Sequence, residues 1–145
     1  MNETFIPTLD YGKKKWYIID CKEKQLGRLS SVVVSLLTGK SKYYYNPSLD
    51  LGDYVILVNA EYILLNRNIE KFHVFIPGRP GRSLKRLVNL NSEQILKRCI
   101  FSMMPKGIPK RQLAKRLKIY QSTAHPHLAQ NPIEITDLQN IKFYE

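Results

Sequence analysis

Acidic residues are scarce in this chain, and scarcest where bases are densest. Its 145 residues hold 12 Asp and Glu against 23 Lys and Arg, a formal net charge of +11. Between Arg79 and Lys118 twelve bases (Arg79, Arg82, Lys85, Arg86, Lys97, Arg98, Lys106, Lys110, Arg111, Lys115, Arg116, Lys118) meet a single acid, Glu93. That surplus equals the net charge of the whole protein, so the remainder is balanced. A neutral body with one cationic stretch is the footprint of a surface that meets a polyanion. Cysteine is nearly absent. Cys21 and Cys99 build no framework and read as two reduced thiols in a reducing compartment. No apolar run approaches the ~20 residues needed to span a bilayer. The first residues, with Glu3 and Asp10 and no apolar centre, exclude a secretory signal and make a poor transit peptide. The protein is therefore expected to be soluble and used where its numbering begins. No internal repeat or low-complexity segment is present. A pI of about 9.7 ranks nucleic acid first among partners, anionic membrane second and an acidic protein third.

What is present is enough for a packed domain. Hydrophobic residues make up 43% of the chain, and a chain of this length buries roughly 70% of its unfolded surface. Lys15-Trp16-Tyr17-Ile18-Ile19-Asp20 reads as a buried strand with its charged residues at the ends. Leu29, Val32, Val33, Leu36 and Leu37 recur at helical spacing, and Gly39 is a natural stop. Asp53-Tyr54-Val55-Ile56-Leu57-Val58-Asn59 is a second short apolar run. Strand, amphipathic helix and strand make a βαβ unit with parallel pairing and a right-handed crossover. Tyr62 to Leu65 and Lys71 to Ile76 are further strand candidates, joined by the turn Asn66-Arg67-Asn68. Pro77-Gly78-Arg79-Pro80-Gly81-Arg82 breaks any ladder. Asn91 or Ser92 then caps a helix whose inner side is Ile95, Leu96, Cys99, Ile100 and Met103, ended by Pro105. A second helix is expected from about Pro109 to Tyr120, followed by an extended segment with one edge strand near Ile133 to Ile135. The expected organisation is a single domain over 1–145. It has an N-terminal extension (1–14), a βαβ core (15–76), a basic loop and helices (77–120) and an extended C-terminal segment (121–145).

The helix after Pro109 carries the most chemistry. On a helical wheel Leu113 and Leu117 mark one side and Arg111, Lys115 and Lys118 the other. Lys110 and Arg116 flank the apolar stripe, where long side chains snorkel outward. No acid occurs from Gln94 to Ile133, so ion pairing within the helix is impossible. The face is expected to bind a polyanion. The loop Pro77 to Arg82 suits phosphate contact, with glycine N–H groups and the forks of Arg79 and Arg82, although a tight turn would also explain its glycines. No nucleotide-binding glycine motif is present. Lys40 and Lys42 stand beside Tyr43, Tyr44 and Tyr45, and aromatics next to Lys stack on unpaired bases; half-buried loop tyrosines would look the same. His125 and His127 lack the companions zinc requires and are expected to bond locally. Asp20, Asp50 and Asp53 lie near strand ends, where a catalytic carboxylate could sit. No catalytic signature accompanies them, and Asp50 and Asp53 around Gly52 read as turn formers.

Taken together, these residues resemble a family: the thirteenth protein of the large ribosomal subunit, in its bacterial and plastid form. The resemblance runs from Trp16-Tyr17-Ile18-Ile19-Asp20 to Pro132. Its anchors are Leu26-Gly27-Arg28-Leu29, Asn46-Pro47, Asp50-Leu51-Gly52-Asp53-Tyr54-Val55-Ile56, Asn59-Ala60, Met103-Met104-Pro105-Lys106-Gly107, Leu117-Lys118-Ile119-Tyr120, and His125-Pro126-His127 with Ala129-Gln130. It departs at Arg82 and Ser102, where the family usually has glycine, and at Asn66-Arg67, where it has a Thr-Gly turn. The resemblance implies a three-layer α/β/α single domain around a small, mainly parallel four-stranded sheet, with a basic helical layer in the C-terminal half. It implies a structural role with no catalysis: binding large-subunit ribosomal RNA beside neighbouring ribosomal proteins and supporting early assembly. No cofactor, metal, membrane or small-molecule substrate is expected. The implied RNA-facing residues are Lys40, Lys42, Gly78, Arg79, Gly81, Arg82, Lys106, Gly107, Lys110, Arg111, Lys115 and Lys118. The many Lys, Ile, Asn and Tyr make the chain look most like a plastid-encoded member, expected in the stroma, with a bacterial cytoplasm as the alternative. The rival reading from the residues is an RNA-modifying or nucleic-acid-processing enzyme on an open α/β sheet.

Overall fold

Bulky β-branched and aromatic residues in short runs, separated by amphipathic helices, produce a parallel sheet in the computed structural model, which describes residues 14–65, 73–74, 85–86 and 91–136. The elements are β1 (Trp16–Asp20), α1 (Leu26–Thr38), β2 (Tyr54–Val58), the two-residue strands β3 (His73–Val74) and β4 (Lys85–Arg86), α2 (Ser92–Met103), α3 (Ile108–Arg116), β5 (Leu117–Ile119) and β6 (Ile133–Ile135). The main sheet runs β5-β2-β1-β6 with every neighbouring pair parallel. β3 and β4 pair separately and antiparallel. No helix among the described residues is long and apolar enough to cross a membrane.

The register decides which side chains share a face, because successive strand residues point to opposite sides. Tyr17, Val55 and Leu117 stand in one row, and Ile19, Leu57, Ile119 and Ile135 in another. Against them α1 lays Leu29, Val33, Leu36 and Leu37, α2 lays Leu96 and Ile100, and α3 lays Leu113, all in one core cluster. Each large apolar side chain so buried is worth about 1.5–3 kcal/mol, so this cluster dominates the stability. α1 approaches α2 closely through small residues, and Ser30 Oγ lies 3.4 Å from Cys99 Sγ. The opposite sheet face carries Trp16 stacked on Tyr54, with ring centroids 4.3 Å apart, and His127 against Trp16.

Most sequence expectations survive: the βαβ unit, the start of α2 at Asn91–Ser92, and the edge strand at Ile133–Ile135. Gly39 closes α1 in the left-handed conformation, its N–H bonded to the Leu36 carbonyl. Three expectations need correction. The second basic helix stops at Arg116, because Leu117 turns extended and the chain joins the open edge of β2. Tyr62 to Leu65 is not a strand of the sheet. Ala60–Tyr62 is a 3-10 turn, and Leu64 makes only an isolated bridge to Gln25. Met103 is 46% exposed while Met104 is buried, since the chain leaves the helix after Met103 and turns the next side chain inward. Of the stretch Lys71 to Ile76, only His73–Val74 lies among the described residues as strand. Its turn at Asn66-Arg67-Asn68 and the loop Pro77 to Arg82 lie outside them.

Candidate nucleic-acid interface

The cations of this protein divide by whether an acid reaches them. Just before β2 the chain reads Asp50-Leu51-Gly52-Asp53, and both carboxylates face inward cations. Asp53 is 1% exposed. Its Oδ1 accepts the Lys42 ammonium at 2.7 Å and the Lys15 backbone N–H at 2.9 Å. Lys42 also donates to the Leu51 carbonyl at 2.8 Å. Asp50 grips the Arg116 guanidinium in a two-pronged pair, with Nη1 to Oδ1 at 2.6 Å and Nη2 to Oδ2, and takes Lys14 at 3.1 Å. Arg116 Nη1 donates further to the Gly52 carbonyl. The Arg116 hydrogen bonds, helped by Lys14 and opposed by burial, hold the Asp50 carboxyl down at about 2.

Gly52 makes this corner possible. A Cβ there would run into the Leu37 backbone carbonyl and sit 3.1 Å from Arg116 Nη1. The C-terminal ends of α1 and α3 and the turn into β2 therefore close on one another. Asp50 and Asp53 anchor this corner, which replaces the simple turn-forming role expected of them. Arg116, expected to snorkel beside the apolar stripe, is instead 5% exposed. Lys42, expected to face RNA, points inward to Asp53 with its side chain 10% exposed.

The outer side of α3 is different. Arg111 and Lys115, four residues apart, are both exposed, and no carboxylate among the described residues forms an ion pair with either. Lys110 is half-buried beside them. Pro105-Lys106-Gly107 leads into this helix. Gly107 adopts φ 110°, ψ −157°, a region essentially restricted to glycine, and this turn leaves Lys106 exposed. Thus Lys106, Gly107, Lys110, Arg111 and Lys115 come together on one helix and its entry turn. Lys118 leaves that group. It lies on β5 in register with Ile56, on the sheet face away from the helical core. Lys40 is exposed after α1. Gly78, Arg79, Gly81 and Arg82 lie outside the described residues.

Lys97 and Arg98, which belong to no motif, are exposed on α2, Lys97 flanking and Arg98 opposite the buried Leu96 and Ile100. Lys97 lies over the Phe101 ring, 5.9 Å from its centroid. The helical spacing of the buried residues was the signal that could have found them. The remaining chemical candidates are engaged locally. Asp20 accepts from the Lys22 N–H and from Asn59. His127 Nε2 shares a hydrogen bond of 2.9 Å with Tyr120 Oη, and the His127 N–H meets His125 Nδ1. Burial pushes the Cys21 thiol up to about 12, with the Asp20 charge adding to it, so it stays protonated and unreactive.

Sequence comparison meets this geometry. The profile of the family described as Ribosomal protein L13 matches residues 14–126. A relative from Trieres chinensis, named Large ribosomal subunit protein uL13c, is 49% identical across 94% of this chain and 99% of its own length. Relatives named Large ribosomal subunit protein uL13 are 38% identical in Prochlorococcus marinus, across 98% of this chain and the whole of the relative, and 36% identical in Acaryochloris marina, across 97% of each.

Proposed function

The chain belongs to the ribosomal protein L13 family, and from that premise we propose that it binds large-subunit ribosomal RNA through the outer side of α3 and its entry turn. It is a structural constituent of the large subunit, not an enzyme, and its RNA contacts support early assembly. The observation that carries the RNA reading is the exposed pair Arg111 and Lys115, joined by Lys106 and faced by no carboxylate among the described residues. Phosphates on A-form RNA are closely spaced and its deep major groove hides base edges, so point and forked cations on a rigid helix read backbone and shape. The core cluster and the Asp50–Arg116 pair hold that helix in a fixed orientation. Exposed Lys40 and, on their charge and glycines alone, Gly78, Arg79, Gly81 and Arg82 are further phosphate contacts. Neighbouring large-subunit proteins are its protein partners. The 49% identity to the plastid-type relative favours a plastid ribosome.

The test is binding to transcribed large-subunit rRNA over a salt titration, together with cosedimentation with the large subunit through a high-salt wash. Tight binding that falls steeply with salt and survival of the wash are expected. Equal affinity for small-subunit rRNA, with loss from the particle on washing, would overturn the proposal.

A further inference from the structure

Three consecutive tyrosines follow Lys42, and the fold gives them unequal surroundings. Tyr44 is half-buried, with the Lys42 ammonium 5.9 Å from its ring centroid. That ammonium is fixed in turn by Asp53 and the Leu51 carbonyl. Tyr43 meets Tyr44 edge-on, with centroids 4.8 Å apart and planes at 89°, and is itself 74% exposed. A buried ion pair thus holds an inner ring, and the inner ring supports an outer one that is open to solvent. Edge-to-face contact orients an aromatic ring by its quadrupole, so Tyr43 is braced from one side.

The surroundings select the ligand. Lys40 is exposed three residues before Tyr43, and both acids of the loop, Asp50 and Asp53, are already ion-paired. The same loop is tied through Asp50 and Gly52 to Arg116, the residue next to Lys115 of the cationic helix. An open aromatic ring in a loop with an exposed Lys40, whose own acids are already paired, fits a nucleobase whose backbone is anionic. Unpaired bases in RNA loops and junctions are the ones free to stack on protein rings.

We propose that Tyr43 is a stacking platform for one unpaired base of the RNA strand whose backbone crosses α3. This rests on the RNA-binding reading above and adds a contact of a different kind. α3 neutralises phosphates, while Tyr43 offers a π surface that takes any base.

The test measures Kd for transcribed large-subunit rRNA across salt concentrations with wild type, Tyr43→Phe, Tyr43→Leu and Tyr43→Ala. Tyr43→Phe keeps the ring and should bind within about twofold of wild type. Tyr43→Leu and Tyr43→Ala should each raise Kd by about 5- to 150-fold, the range measured for one base–aromatic stack. Their salt slopes should match wild type, because losing a stack changes no counterion release. Leu or Ala variants that bind as tightly as wild type would overturn the platform while leaving the phosphate contacts standing. A flattened slope in those variants would overturn it as well. A wild-type protein with no preference for large-subunit rRNA would overturn both readings together.

Discussion

Lys115 and Arg116 are neighbours in the chain with opposite surroundings. Arg116 turns into the corner where α1, α3 and β2 meet, and Asp50 neutralises it there. Lys115 turns out with Arg111, where no described acid reaches either. The inner corner contains cations, carboxylates and a glycine packed against backbone. The outer side carries cations that no described acid pairs with. Positive charge in this protein therefore sits in two settings, and proximity in the chain does not separate them. A paired, buried cation costs desolvation and repays it only through geometry. An unpaired, exposed one is cheap to maintain and is left available for a phosphate. Substitutions on the inner side should therefore move stability, and those on the outer side should move RNA affinity.

The sharpest way to break that division is charge reversal outside. Arg111→Glu with Lys115→Glu should weaken binding to large-subunit rRNA by about a hundredfold or more at physiological salt, through two lost phosphate contacts and new repulsion. Urea unfolding should shift by less than about 1 kcal/mol, since both side chains are exposed and a carboxylate at position 115 would oppose the helix dipole only weakly. Loss of folding in that variant would blur the two regions into one.

Inside, the largest effect belongs to Gly52→Ala. Its Cβ meets the Leu37 carbonyl, backbone against backbone, so the corner must open; about 3 kcal/mol of stability should be lost in denaturant titration. Asp50→Ala should cost about 2 kcal/mol. Arg116 would keep only its Gly52 contact while buried, and the half-exposed carboxylate lowers the usual penalty for breaking a buried pair. Arg116→Met added to Asp50→Ala should recover part of that loss, which a double-mutant cycle would read as coupling.

The smallest effect is at acid pH. Asp50 stays ionised in the folded state down to about 2 rather than the ordinary 3.8. Between those values the unfolded chain binds more protons, so the pair's contribution is full above about pH 4 and is lost as pH falls through 2. The change should stay under about 1 kcal/mol after allowing for screening of a carboxylate 44% exposed. Asp50→Asn should remove that part of the acid slope measured by thermal unfolding, and Arg111→Gln should leave it in place.

The same contrast explains what was legible in the sequence. β1, α1 and β2 announce themselves because each repeats one period for long enough: the apolar residues of α1 recur over three turns, and one face of it is buried as expected. β5 was not legible. Leu117-Lys118-Ile119 is too short to tell period two from a continuing helix, and only the open edge of β2 decides it. Arg116 and Lys42 read as ordinary cations because their partners are 66 and 11 residues away. Arg111 and Lys115 were readable for the converse reason. The helical period sets both opposite Leu113, which is buried, and so turns them outward whatever their partners. The exposure of Tyr43 relative to Tyr44 was not readable, since it depends on the clamp that Lys42 makes with Asp53.

The most direct test sets the two kinds of cation against each other in one assay: the salt dependence of binding to large-subunit rRNA for Arg111→Gln/Lys115→Gln and for Arg116→Gln. The outer pair should flatten the slope of log K against log salt by about 1.4–1.8, one increment of 0.7–0.9 for each lost phosphate contact, with unfolding unchanged. Arg116→Gln should destabilise the fold and keep the wild-type slope. The reverse pattern, a flattened slope for Arg116→Gln and an unchanged one for the outer pair, would contradict the account.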